Sequence, residues 1–226
     1  MKSSDDPWTT RFYPREGDGA GFDRLIFFSD AVFAIALTLV AVEIGVPEIE
    51  DAGSNQEMWD GVLAKLPAFG AYIVAFLWVA FYWRANHRFT ATLRGASSRY
   101  ILMVLLYLGF VAMLPFFASM LGQYGGNAVA VSFFAGFAAV VSAVEVLMFV
   151  VADRDSLFLK PITPEYRRMA ILGGLTPVPV FLLSIPLAFV STALAIAFWV
   201  VGSVALGWSV NRFFSPGSAP ESAQPS

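Results

Sequence analysis

Long runs of apolar residues, separated by short polar segments, dominate the pattern along this chain. A bilayer core of about 30 Å requires about 20 mostly apolar residues in helical form. Six runs meet this requirement, so the pattern predicts an all-α, polytopic membrane protein with six transmembrane helices. The predicted spans cover residues 25–46, 62–83, 100–121, 128–151, 169–190 and 192–210. The last two are joined by so few residues that they should form a tight hairpin, with Pro186 near the bend.

The composition agrees with a membrane protein and excludes several other classes. Hydrophobic residues make up 58% of the 226 positions, charged residues make up 14%, and mean hydropathy is +0.68. A soluble domain with so much apolar surface would expose large patches and aggregate. The net charge of −3 does not fit a strongly basic nucleic-acid binder. With no cysteine and His87 as its single histidine, the chain is not expected to hold a metal.

Lysine and arginine are distributed unevenly among the segments between the predicted spans. Thirteen of the fourteen fall in the N-terminal segment, in the loops after the second and fourth spans, or after the sixth span, and Lys65 is the exception. Because basic residues favour the cytoplasmic side, both termini and both basic loops should be cytoplasmic, in a protein of the cell (plasma) membrane. The first 24 residues carry several charges and no apolar segment, so they do not resemble a signal peptide.

These features predict three regions along the chain. Residues 1–23 should be a cytoplasmic N-terminal segment, residues 24–212 a six-helix transmembrane channel domain, and residues 213–226 a disordered cytoplasmic tail. The tail prediction rests on residues 215–226, which are rich in serine, proline and alanine.

Acidic residues are concentrated between the first two predicted spans, on the side away from the basic loops. In a symmetric oligomer they would form a negative ring that concentrates cations at a pore mouth. The alternative is a solvated loop that merely obeys the charge rule, and the sequence leaves both open. The six residues are Glu43, Glu48, Glu50, Asp51, Glu57 and Asp60.

The first span contains an acidic residue, Asp30, about six residues from its start. A charge at membrane depth costs about 2.5–3.5 kcal/mol on insertion scales and is usually paired or functional. The second span descends to the same side, so its end should bring polar partners to this level. The candidates for this polar cluster, in addition to Asp30, are Arg24, Ser29, Arg84, Asn86, His87 and Glu145.

A helical wheel separates two faces of the first span. Ile35, Leu39 and Val42 fall within about 60° of one another at 100° per residue, with Ala31 and Thr38 beside them. Asp30 and Phe33 lie on the opposite side. If Asp30 packs against the second span, the aliphatic stripe must face lipid or an oligomer axis, and spacing alone does not decide between them.

The first span also resembles a known signature. Arg24, three further residues, Phe28-Ser29-Asp30 and the following Ala-Val-Phe-Ala-Ile-Ala-Leu-Thr-Leu are similar to the first helix of the transmembrane-protein-175 family. That family comprises lysosomal-type potassium channels and their prokaryotic relatives. Two further motifs are also similar to the family's pattern. They are Trp83 and His87, separated by three residues at the end of the second span, and Leu114-Pro115-Phe116 in the third span.

This resemblance implies a potassium-preferring cation channel in which single six-helix subunits form a homotetramer within the lipid bilayer. The pore would be lined by the first helix, with hydrophobic constriction rings at Ile35, Leu39 and Val42 and a hydroxyl layer at Thr38. Potassium would be the permeant ion, with no cofactor. The implied structural or gating network is Arg24, Phe28, Ser29, Asp30, Trp83 and His87.

Two other functions deserve comparison. A proton-coupled carrier or proton leak would use Asp30, His87 and Glu145, because intramembrane acids and histidines form proton relays. An enzyme is not expected, since the chain has no G-x-S-x-G or HExxH motif. Residues 123–127 (Gln-Tyr-Gly-Gly-Asn) faintly resemble a potassium-filter sequence, but they read as a glycine-rich turn between two spans.

Overall fold

The computed structural model describes residues 19–214, which form eight helices. The predicted segment 1–23 therefore lies largely outside the described residues, and so does almost all of the predicted tail 213–226. The helices are α1 (Gly19–Val42), α2 (Asn55–Ala64), α3 (Leu66–Thr90), α4 (Ser98–Tyr124), α5 (Ala128–Arg154), α6 (Pro164–Leu175), α7 (Pro177–Ala188) and α8 (Thr192–Phe214).

Among residues 19–214, five helical segments are long and apolar enough to cross a membrane. They comprise α1, the α2–α3 pair, α4, α5 and the α6–α7 pair, while α8 contributes a shorter apolar stretch, Thr192–Gly202. The predicted second span, 62–83, corresponds mainly to α3, and α2 precedes it. The predicted fifth span, 169–190, is covered by α6 and α7 together. Helices α1, α4, α5 and α8 correspond to the other four predicted spans. The prediction of an all-α, polytopic membrane protein is confirmed.

The boundaries of α1 differ from the prediction of 25–46. The helix begins at Gly19 and ends at Val42, because a helix can extend through polar residues that a search for apolar runs does not include. At its other end, the backbone N–H of Gly45 donates to the carbonyl of Val42, and Gly45 adopts a left-handed φ of 63°. Glycine reaches this conformation without steric cost, so the chain turns there.

The acidic segment after α1 contains a helix that was not predicted. Ser54 caps α2, its Oγ accepting a hydrogen bond from the backbone N–H of Glu57. Glu57 Oε2 in turn accepts from the backbone N–H groups of Glu50 and Asp51. The spacing of Ser54 and Glu57 is that of a capping box, a sequence signal that the search for apolar spans passed over.

The predicted fifth span, 169–190, is divided into α6 and α7 at Thr176. Pro177 follows directly, and because proline has no backbone N–H, the hydrogen bond that would continue the helix is missing there, although Thr176 itself keeps helical dihedral angles (φ −51°, ψ −44°). The hairpin prediction is confirmed, since α7 and α8 pack together across a connection of three residues.

Helix α5 lies at the centre of the bundle and contacts α4, α6, α7 and α8, whereas α1 packs on α3 and α4. The centre is aromatic. Trp199 is buried between Phe134, whose ring centroid lies 5.1 Å away, and Phe181, at 5.7 Å. Its indole N–H donates to Ser184 Oγ at 2.7 Å, so the one polar group of this side chain is satisfied within the core.

The loops after α3 and α5 pair with each other at one end of the bundle. Leu93 and Phe158 form an antiparallel bridge, and the backbone N–H of Arg94 donates to the carbonyl of Leu157 at 2.9 Å. The two predicted basic segments, which include these loops and the adjoining helix ends, therefore lie at the same end of the bundle, as the predicted topology requires.

Candidate functional site

The inner face of α1 attaches this helix to the subunit. Ser29, Phe33, Ala36 and Val40 recur at intervals of three or four residues, and all four are buried. Phe33 contacts Tyr107 of α4, with ring centroids 6.0 Å apart. This spacing places one side of the helix against α3 and α4 and fixes which residues face outward.

The outer face of α1 carries the four residues that the sequence predicted to line a pore. Ile35 is 58% exposed, Leu39 42% and Val42 70%, and Thr38 is exposed between them. Thr38 Oγ1 donates to the carbonyl of Ile35 at 2.8 Å. The hydroxyl proton is therefore used within the helix, and both lone pairs of the oxygen can still accept hydrogen bonds or coordinate a cation. In the described part of a single chain, these side chains stay largely uncovered.

Asp30 connects α1 to α3 near the end of the bundle that holds the basic loops. Its Oδ1 accepts a hydrogen bond from Trp83 Nε1 at 2.9 Å. The indole of Trp83 stacks on the imidazole of His87, with centroids 5.3 Å apart and planes inclined by 25°. These three side chains form a ladder that fixes the height and rotation of α1 relative to α3.

The other members of the predicted polar cluster lie apart from this ladder. Ser29 Oγ donates to the carbonyl of Leu25 within its own helix, and Asn86 is buried on another side of α3. Arg24 and Phe28 are exposed. Within residues 19–214, neither hydrogen bonds nor ion pairs join Arg24 or Ser29 to Asp30.

Glu145 belongs to a different polar region, in the centre of the subunit. It lies close enough to Tyr82 and Tyr107 to interact electrostatically with both hydroxyl groups. The hydroxyl of Tyr82 hydrogen bonds to Ser142 Oγ at 2.9 Å and donates to the carbonyl of Ala138 at 3.0 Å. Within residues 19–214, neither a hydrogen bond nor an ion pair joins Glu145 to Asp30, Trp83 or His87, so the single cluster that includes Glu145 stays a prediction.

Trp83 is the partner of Asp30 that the polar-cluster prediction did not name, since from the second span it considered only Arg84, Asn86 and His87, although the network implied by the family resemblance contains both Asp30 and Trp83. An indole N–H is a donor without acceptor capacity, and in an apolar setting it requires an acceptor. This requirement could have identified Trp83 as a partner of Asp30 from the sequence, because Trp83 lies one helical turn before His87, at the level expected for Asp30.

Residues 123–127 form the turn that the sequence predicted. Helix α4 ends at Tyr124, and Asn127 caps α5, its side-chain oxygen accepting from the backbone N–H of Val129 at 2.8 Å. Among the described residues, histidine and carboxylate side chains do not cluster into a metal site.

A family model described as the endosomal/lysosomal potassium channel TMEM175 matches residues 24–115. A potassium channel of Streptomyces collinus is 34% identical over 101 residues, covering 45% of this chain and 48% of that protein. The endosomal/lysosomal proton channel TMEM175 of Mus musculus is 36% identical over 98 residues, covering 41% of this chain and 20% of that protein. The match thus spans about half the length of the bacterial relative.

Solved structures share the fold over most of the chain. A crystal structure of a lysosomal potassium-selective channel TMEM175 homolog from Chamaesiphon minutus superposes with a TM-score of 0.67 at 23% identity. The superposition covers 84% of this chain and 98% of that one. A variant of the potassium channel MtTMEM175 superposes with a TM-score of 0.56 at 19% identity, covering 89% of this chain and 97% of that one. These similarities concern the fold of the whole helical bundle.

Proposed function

We propose that this chain is a member of the TMEM175 family and a subunit of a potassium-preferring cation channel. The observation that carries the proposal is the uncovered face of α1, where Ile35, Thr38, Leu39 and Val42 lie on the side opposite the packed residues. The bacterial relatives that are named potassium channels support the choice of ion. The family is one of channels rather than enzymes, and its permeant ion is potassium.

The proposed assembly is a homotetramer in the cell membrane, with both termini cytoplasmic and one α1 from each subunit around a central axis. Rotational symmetry turns each exposed side chain into a ring of four. Ile35, Leu39 and Val42 then form successive aliphatic rings, and Thr38 supplies a ring of hydroxyl oxygens between the first two. The buried face of α1 and the bond from Asp30 to Trp83 hold each helix in this orientation.

Conduction through these rings requires an ion to lose part of its hydration shell. A narrow aliphatic constriction favours the dewetted state and so opposes conduction when closed. Potassium binds water less tightly than sodium, which lowers its cost of passing the same rings. This mechanism gives a modest preference for potassium, without the carbonyl filter of other potassium channels.

The first test is a reversal potential in a planar bilayer, with potassium on one side and sodium on the other. We expect the purified protein to shift the reversal potential toward the potassium equilibrium potential. Currents without preference between the two cations would contradict the proposed selectivity, and the absence of current would contradict the channel.

Two variants test the assignment of the pore surface. Leu39→Ala widens one ring and Ile35→Asn makes another polar, so both should raise conductance and reduce the preference for potassium. The matched control is Leu183→Ala on α7, which removes the same atoms from another exposed position. Wild-type conductance and selectivity in both α1 variants would remove these residues from the pore.

A proton leak is the alternative function, and the name of the mouse relative favours it. It would use Asp30, His87 and Glu145. Asp30 and His87 both contact Trp83, whereas Glu145 lies with the tyrosines of the core, so a relay would need additional groups between them. Proton flux into liposomes that persists without potassium and falls in Asp30→Asn would favour this alternative over the cation channel.

A further inference from the structure

A cavity of about 670 Å³ lies at the end of the bundle opposite the basic loops. It is enclosed by the last turn of α1 and the turn after it, the start of α3 and the last turns of α4. Its volume is within the range of small-molecule sites. Apolar and polar side chains both line it, among them Val40, Glu43, Glu48, Lys65, Tyr72 and Gln123.

Charges of both signs face this cavity. Glu43 and Glu48 are exposed at its mouth, and Lys65 is half-buried at the junction of α2 and α3. Within residues 19–214, the side chains of these three residues form no ion pair or hydrogen bond with one another. The ammonium of Lys65 and the carboxylates of Glu43 and Glu48 therefore line the same cavity without pairing with one another. This arrangement is complementary to a ligand that carries a negative and a positive charge.

The position of Lys65 is fixed by the turn that follows α1. Gly45, in its left-handed conformation, brings the chain so close that a β-carbon at this position would lie 3.5 Å from Lys65 Nζ. Lys65 also connects two helices, since its carbonyl accepts from Phe69 and its backbone N–H donates to Val62. The backbone of Lys65 is thus held between the two helices, and its ammonium group lies beside the turn at Gly45.

We propose that this cavity binds a phosphoethanolamine group, with the phosphate on Lys65 and the ammonium on Glu43 and Glu48. A phosphate accepts charge-assisted hydrogen bonds from a lysine ammonium, and a primary ammonium donates them to carboxylates. The cavity lies where α1 and α4 end, the level at which lipid headgroups meet a membrane protein. The group can come from the headgroup of phosphatidylethanolamine or from free phosphoethanolamine.

The location gives such a ligand contact with α1. Val40 lines the cavity and belongs to the packed face of the helix, opposite Leu39 and Val42. The cavity is therefore behind the proposed pore surface and does not overlap it. Binding at this site does not depend on conduction, so it can be measured on its own, and it can fail or succeed independently of the proposed channel function.

The test is isothermal titration calorimetry, which measures the heat of binding to the purified full-length protein in detergent. The titrants are short-chain phosphatidylethanolamine, short-chain phosphatidylglycerol, which lacks the ammonium, and free phosphoethanolamine. We expect saturable binding of the ethanolamine lipid and weaker binding of the glycerol lipid. Binding of free phosphoethanolamine as well would support the site with a soluble source, and binding of the lipid alone would support it with a membrane source.

Variants distinguish this cavity from adsorption elsewhere. Lys65→Gln and Glu48→Gln each remove one charge from the lining and should weaken binding about tenfold, as the loss of one hydrogen bond to a charged group does. The matched control is Glu50→Gln, which removes a carboxylate from the same segment outside the cavity lining and should bind like the wild type. Equal binding of the two lipids, unchanged affinity in both lining variants, or no binding of any titrant would overturn the proposal.

Discussion

Removing the indole N–H of Trp83 should loosen α1 from α3. Trp83→Phe deletes the donor of the 2.9 Å hydrogen bond to Asp30 and retains an aromatic ring that can stack on His87. Asp30→Ala removes the acceptor of this bond together with its charge. The two substitutions therefore address the same contact from opposite sides, which makes a double-mutant cycle informative.

The expected coupling energy follows from the environment of the bond. A hydrogen bond to a charged group contributes about 1.5–3 kcal/mol when both partners are buried. Here Trp83 is 37% exposed and Asp30 is half-buried, and interhelical hydrogen bonds in membrane proteins average about 0.6 kcal/mol, with a maximum near 1.7. We therefore expect a coupling free energy of about 1 kcal/mol between the two positions.

The assay is reversible unfolding of the purified protein in a titration with SDS, for the wild type, both single variants and the double variant. The control cycle pairs Asp30→Ala with Trp78→Phe, since Trp78 makes ring contacts but no hydrogen bond to Asp30. Its two effects should add. A coupling below about 0.3 kcal/mol in the Trp83 cycle, within the usual error of additivity, would refute the assignment of this bond as the attachment of α1.

Two further predictions use contrasting pairs in the same unfolding assay. Tyr82→Phe removes a hydroxyl that makes two hydrogen bonds and should lower the free energy of unfolding by about 1–2 kcal/mol. Tyr107→Phe removes a buried hydroxyl that makes no hydrogen bond and should not lower the free energy of unfolding. Equal losses would contradict this distinction. Gly122→Leu should destabilise by about 1–3 kcal/mol, because even a β-carbon there would lie 3.4 Å from the Cα of Ala68. Gly109→Leu, which meets open space, is its control, and equal stability of the two variants would contradict the close packing of α3 on α4.

Some features of this protein follow from local sequence. Apolar length alone located the membrane helices, because transfer of a 20-residue segment into hydrocarbon depends on its own side chains. The turn between α4 and α5, within residues 123–127, was predicted from its glycines. The capping box at Ser54 and Glu57 is also visible in the sequence, although apolar runs alone do not reveal it. The distribution of lysine and arginine gave the expected side for each loop, and the pairing of the two basic loops agrees with it.

Helix interruptions were harder to read from the same pattern. Pro177 divides the predicted fifth span, whereas Pro115 lies inside the continuous helix α4. Proline carries the same local restriction at both positions, so sequence spacing does not distinguish them. The outcome depends on whether neighbouring helices hold the chain in a helical path despite the missing hydrogen bond.

The tertiary structure alone decided which groups meet. The wheel of α1 separated an aliphatic stripe from Asp30, but the choice of Trp83 as the acid's partner depended on the rotation of α3. Glu145 interrupts an apolar run, and the packing of α5 on α4 brings it near the hydroxyl groups of Tyr82 and Tyr107. Hydropathy measures the cost of leaving water and carries no information about which partner a polar side chain finds. Partner choice is fixed by the rotation and spacing of packed helices, which residues far apart in the chain determine together.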